Sequence, residues 1–270
     1  MAPFGLSRLR SLLRREGRQR QNSPTASWSR PFGQSWANPY TVRYASNLDD
    51  GPWHGAPLGG FGAGCIGRSS KGDFNLWHLD GGEHWFGSLP DCQFALFEDN
   101  GSETLAHALA VEPEADSSKP EGNKPLSSWS WYPASTDEKP TGSYSARYPL
   151  SWFNYSGVFG CEASCESFSP IIPGNYRDTA LPVAIFRWRF RNPSRKPLKL
   201  SLLLSWRNTI GWFCNTDPSA AVHFRDDGSP EHNYLPAIGA TQGQRNLAID
   251  EPGLRGVLMD GPLSEPIAEG

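Results

Sequence analysis

Helix-breaking residues crowd this chain: 28 glycines and 24 prolines fall among 270 residues. Inside a helix each Gly costs about 1 kcal/mol relative to Ala and each Pro about 3 kcal/mol, so long helices and helical bundles are disfavoured. The charged fraction is 20% and the apolar fraction 37%. That composition makes the chain rich in turns without the charge excess of a disordered polymer. No apolar run is long enough to span a bilayer.

The periodicity that remains is that of strands. Segments 73–79, 92–98, 127–132, 143–148, 158–168, 182–191, 198–207 and 253–259 are short, aromatic or β-branched, and separated by Gly, Pro, Asn and Ser clusters. They predict an all-β fold, an antiparallel two-sheet β-sandwich with long loops and few or no long helices. Residues 21–40 read as an extended lead-in, and 112–124 and 226–233 as polar loops. In 182–191, Ala184, Phe186, Trp188 and Phe190 share one face and Arg187, Arg189 and Arg191 the other. In 198–207, Leu198, Leu200, Leu202, Leu204 and Trp206 alternate with mostly polar residues. With Asn192-Pro-Ser-Arg-Lys-Pro197 between them, the two segments predict an antiparallel hairpin with one wet face and the core nucleus on the other.

The net charge of −3 is unevenly spread, because Arg8, Arg10, Arg14, Arg15, Arg18 and Arg20 crowd the first 20 residues with only Glu16 opposing them. The body is therefore acidic, which argues against a nucleic-acid partner. Residues 1–27 read as a basic, flexible arm ahead of a single domain at 28–270. As an amphipathic helix with Leu6, Leu9, Leu12 and Leu13 on one side, the arm would make weak contact with a membrane surface; otherwise it is a solvated terminus. Arginines interrupt every apolar run needed for a secretory signal, while an organellar leader stays open. Five cysteines without a Cys-x-x-Cys pair (Cys65, Cys92, Cys161, Cys165, Cys214) read as reduced, mostly buried thiols, and the expected location is cytoplasmic, with a peripheral-membrane variant.

No catalytic constellation stands out. Gly62-Ala-Gly64-Cys-Ile-Gly67 is a literal G-x-G-x-x-G, yet no buried parallel strand precedes it and no helical period follows, so a dinucleotide site is rejected. The glycines here let a strand lie tightly against other backbone, or let a partner domain approach closely. Acid pairs such as Asp80 with Glu83, or Glu162 with Glu166, have the residue types of glycosidase carboxylates but also those of ordinary polar faces. The six histidines lack metal-site spacing, so neither a metal nor a cofactor is expected. Eleven tryptophans remain, which either stack on sugar rings or fill the sandwich.

Pro57-Leu-Gly-Gly-Phe-Gly-Ala-Gly-Cys-Ile-Gly-Arg68, continuing through Gly72-Asp-Phe-Asn-Leu-Trp-His-Leu79 to Cys92-Gln-Phe-Ala-Leu-Phe97, resembles the N-terminal signature of glycoside hydrolase family 116. That family holds the non-lysosomal glucosylceramidases, or bile-acid β-glucosidases, and bacterial relatives. A second block agrees in order: Phe168-Ser-Pro-Ile-Ile-Pro173, Leu181-Pro-Val-Ala-Ile-Phe186, Asn192-Pro193 and Leu204-Ser-Trp-Arg-Asn-Thr-Ile-Gly-Trp212. The stretch from Trp36-Ala-Asn-Pro-Tyr-Thr-Val-Arg43 to His84 is similar to cyanobacterial-type members. The resemblance implies a retaining β-glucosidase built from an N-terminal β-sandwich and a C-terminal (α/α)6 barrel that carries the catalytic Glu and Asp. This chain resembles the sandwich part, so no family catalytic residue has a position to map onto, and the chain alone is expected to be inactive. The implied partner is the C-terminal catalytic domain, and the implied ligand a β-glucoside or glucosylated lipid. Candidates for the substrate mouth or docking face are Gly59, Gly60, Gly62, Gly64, Arg68, Trp77, His78, Glu83 and His84. The other reading is an independent carbohydrate-binding module with a platform of exposed Trp.

Overall fold

The computed structural model describes residues 28–35, 54–79, 85–113, 130–210, 223–224, 230–231 and 243–261. Among them strands dominate, and the helix α1 is a single turn, Tyr176–Thr179. The strands in the first part of the chain are β1 Trp28–Pro31, β2 Pro57–Leu58, β3 Cys65–Arg68, β4 Phe74–His78, β5 Trp85–Phe86, β6 Gln93–Asp99, β7 Thr104–Ala108 and β8 Ser130–Trp131. The middle adds β9 Gly142–Arg147, β10 Leu150–Tyr155, β11 Glu162–Phe168, β12 Ile185–Arg191 and β13 Lys199–Ser205. The remainder are β14 His223–Phe224, β15 Pro230–Glu231, β16 Arg245–Glu251 and β17 Leu254–Asp260. The expected all-β class is what the chain adopts. No helix among the described residues is long and apolar enough to cross a membrane.

Three sheets build the body. One is antiparallel, in the order β1-β9-β10-β11-β12; a second runs β13-β6-β7-β8; a third runs β2-β3-β4-β5. The first packs against the other two through a continuous apolar core that includes Phe32, Phe74, Trp77, Phe94, Tyr144 and Phe153. Edge-to-face rings join the layers: Phe94 meets Phe186 and Trp188 at 5.0 Å, and Phe74 meets Phe186 at 5.7 Å. Offset and perpendicular ring pairs of this kind contribute about 0.5–1.5 kcal/mol each beyond the area they bury.

The hairpin expected from 182–191 and 198–207 does not form. The two strands exist, but β12 pairs with β11 in the first sheet and β13 pairs with β6 in the second. The turn chemistry is present, with Asn192 Nδ2 donating to Lys196 O at 2.7 Å and Ser194 N to Asn192 Oδ1 at 2.9 Å. Pro193 and Pro197 supply no N–H where a ladder would start, and the chain crosses to the opposite layer instead. The expected alternation appears in part: Phe186 and Trp188 from one layer, and Leu200 and Trp206 from the other, pack on the same core, while Phe190 is 37% exposed. Leu202 and Leu204, expected in the nucleus, lie on the outermost strand of their sheet and stay 39% and 47% exposed.

Candidate glycine-loop cleft

The hairpin from β2 to β3 carries the G-x-G-x-x-G sequence in an antiparallel sheet, with Pro57 opposite Gly67 and Leu58 opposite Ile66. This is not the strand-to-helix turn that cradles a pyrophosphate. The loop is folded tightly onto its own domain, and the missing side chains explain how. A Cβ at Gly59 would sit 2.0 Å from Gly64 O, and one at Gly60 2.5 Å from Leu181 O. At Gly64, whose φ is +77°, a Cβ would sit 2.3 Å from His78 O. Hydrogen bonds pin the loop further: Gly59 N donates to Ser169 Oγ at 2.7 Å, Phe61 N to Thr179 O at 2.9 Å and Ala63 N to Gly60 O at 3.0 Å. Gly62, at φ +75°, faces open space.

Beside the loop lies a cleft of about 340 Å³ lined by these glycines together with Phe61, Cys65, His78 and Tyr148. Period-two alternation decides which residues reach it. Cys65 and His78 are cross-strand partners on β3 and β4 and both face the cleft, whereas the adjacent pair, Ile66 and Trp77, points to the other side. Trp77 is consequently buried in the core, where its Nε1 donates to Gly87 O at 2.9 Å. Burial pushes the Cys65 thiol up from its ordinary value, which keeps it protonated near neutral pH.

Arg68 follows the inward face as well and is almost wholly buried. Its Nε donates to Gly72 O at 2.8 Å, and Nη2 donates to Leu109 O at 3.1 Å and to the Tyr155 hydroxyl at 2.7 Å. The guanidinium lies 4.2 Å from the centre of the Phe153 ring and 5.1 Å from that of Phe94. Among the described residues no carboxylate pairs with it; carbonyls, a phenol and ring faces solvate the charge. Thus Gly59, Gly60, Gly62, Gly64 and His78 come together at the cleft, Trp77 and Arg68 lie behind it in the core, and Glu83 and His84 fall outside the described residues.

Two aromatic residues also line the cleft, Phe61 within the candidate stretch 59–68 and Tyr148 outside it; they are 70% and 59% exposed. Phe61 had a usable signal, since a large ring between Gly60 and Gly62 has no neighbouring side chain to shelter it. Tyr148 had none, because only the β9–β10 pairing brings its turn here.

The acid pair Glu162 and Glu166 resolves into ion pairs on the wet face of the first sheet. Arg191 Nε donates to Glu162 Oε2 at 2.6 Å, and Arg187 Nη1 to Glu166 Oε2 at 2.9 Å. Asp80, like Glu83, falls outside the described residues. Cys92, Cys161 and Cys165 are free, buried thiols, as expected; Cys214 lies outside the described residues. No cluster of three His, Cys, Asp or Glu fit to hold a metal occurs among the described residues. The large indoles Trp77 and Trp152 are buried, so they form no sugar platform.

The ribbon of β16 and β17 exposes apolar side chains. Leu247 faces Leu258 across the ladder and Ala248 faces Val257, so the two pairs lie on opposite faces. Leu247, Leu258 and Val257 are 45%, 49% and 58% exposed. The side chain of Asn208 ties the base of the ribbon to β13, donating to Asp260 O at 3.1 Å.

The sequence that builds the sheets and the glycine loop has a counterpart in one known family. A model of the N-terminal part of glycosyl-hydrolase family 116, described as beta-glucosidase 2, matches residues 55–267. The match runs from the glycine loop through the β16–β17 ribbon, most of the chain, and the chain belongs to glycoside hydrolase family 116 as its N-terminal β-sandwich domain.

Proposed function

We propose that this chain is the non-catalytic half of a β-glucosidase of the glucosylceramidase type, a sandwich that docks on the (α/α)6 catalytic domain and edges its active-site mouth. The observation that carries the reading is the β16–β17 ribbon. An isolated two-stranded ribbon is marginal in water, and this one presents leucine and valine on both faces. Apolar side chains exposed on both sides of one ribbon favour a large partner surface over solvent. The family match extends through the ribbon, which favours the other domain of the same family as the occupant. The rigid glycine loop, with Phe61 projecting from it, supplies the part that would border the mouth.

The test is reconstitution. The 270-residue chain is mixed with a separately produced family-116 catalytic domain, and complex formation is followed by size-exclusion chromatography alongside hydrolysis of an aryl β-glucoside. The chain alone should show no turnover, and the mixture should co-elute and gain activity. Failure to co-elute, or glucose released by the chain unaided, would overturn the proposal.

A further inference from the structure

We infer that the turn between β6 and β7 modifies itself: the side-chain amide of Asn100 condenses with the peptide nitrogen of Gly101, loses ammonia, and is hydrolysed to aspartate and isoaspartate. This is separate from docking and does not depend on it. Asn100-Gly101 is the one Asn-Gly step in the sequence, and every other asparagine is followed by a residue whose side chain or ring crowds the same approach. Attack of the nitrogen on Cγ closes a five-membered ring through Cβ, Cα and the carbonyl carbon of Asn100. Gly101 brings no side chain into that path, and a Cβ built on it would meet nothing within 4 Å. Gly101 and Ser102 are exposed, so water reaches the turn.

The turn supplies the groups that such a condensation needs. Three donors converge on Asn100 Oδ1: Ser102 N and Glu103 N, each at 2.9 Å, and Ser102 Oγ at 2.8 Å. They polarise Cγ and stabilise the negative charge that develops on Oδ1 as the nitrogen adds. Gly101 N donates to Asp99 Oδ1 at 2.7 Å, so the proton that must leave the nucleophile already points at a carboxylate. That hydrogen bond, helped by Lys199, holds Asp99 below the usual carboxylate range and ionised at neutral pH. Asp99 takes the proton as the N–Cγ bond forms and returns it as the Cγ–Nδ2 bond breaks, and Nδ2 departs as ammonia. Water then opens the cyclic imide. Cleavage at Cγ leaves aspartate, whereas cleavage at the Asn100 carbonyl carbon leaves isoaspartate and one extra backbone carbon in the turn. Either product adds a negative charge between Asp99 and Glu103. Asn192 is an internal control: Ser194 N and Oγ donate to its Oδ1 at 2.9 and 2.8 Å, but Pro193 has no N–H to lose.

The experiment is incubation of the full chain in neutral buffer at physiological temperature, beside a synthetic peptide of residues 96–105. Digests are followed by mass spectrometry, with isoaspartate assigned by electron-transfer fragmentation. Conversion is expected at Asn100 and not at Asn192. Ser102→Ala should slow it about fivefold by removing one donor, and Asp99→Ala at least as much. Asn100→Gln, whose ring would need six members, should abolish it. Circular dichroism confirms that the variants stay folded. No conversion at Asn100 in the folded chain while half of the peptide converts, equal conversion at Asn192, or a rate unchanged or raised in either folded Ala variant overturns the inference.

Discussion

Arg68 brings a guanidinium into an apolar interior, and its neighbours show how that is sustained. Three hydrogen bonds and two close ring faces take the place of water. Arg68→Ala should destabilise the chain by about 3 kcal/mol or more, since it removes charge-assisted bonds and opens a cavity. Arg68→Lys should recover only part of this, because an ammonium has no planar fork to span Gly72, Leu109 and Tyr155. Urea unfolding measures both. The buried thiols lead to a second expectation. Burial pushes Cys92 and Cys161 up to about 12. A folded-state pKa above the unfolded value means that the stabilisation is complete below about pH 8.5, the ordinary thiol range, and is lost as pH rises towards 12. The urea midpoint should therefore fall from about pH 9 upwards, and less steeply in Cys92→Ala. Iodoacetamide at neutral pH should leave both thiols unmodified until the chain is unfolded, as peptide mass spectrometry would show.

Among the elements, the glycine loop separates two uses of glycine that look identical in sequence. Gly59 and Gly60 are required by contact: a Cβ would strike carbonyl oxygens of Gly64 and Leu181. Gly62 is required only by its backbone angle. Gly59→Ala should therefore cost about 1–3 kcal/mol through forced backbone movement, and Gly62→Ala about 1 kcal/mol for a left-handed conformation alone. Thermal unfolding of the two variants checks the order, and equal losses would contradict the packing described. The loop also shows what alternation reveals. Once β3 and β4 are paired, Cys65 and His78 must share one face and Trp77 take the other. The register comes from the fold, and it turns Trp77 and Arg68, candidates for the mouth or docking face, inward into the core.

For the molecule as a whole, the ribbon makes a prediction that the reconstitution can separate from folding. Val257→Glu with Leu258→Glu places charge on both exposed faces. The pair should leave urea stability within about 0.5 kcal/mol while abolishing co-elution with the catalytic domain. If the doubly substituted chain still co-elutes, the ribbon is not the docking element. By itself the sequence determined the class: dense Gly and Pro bar long helices, and short alternating segments form strands, both consequences of local sterics and of burial on one face. The family signature was legible for the same reason, because its motif residues are contiguous. Tertiary structure alone decided that β13 leaves β12 for β6, that Arg68 is enclosed, and that Tyr148 arrives beside Phe61. Those outcomes depend on which distant strands pair and how much apolar surface each pairing removes from water, a balance over the whole chain that no local segment encodes.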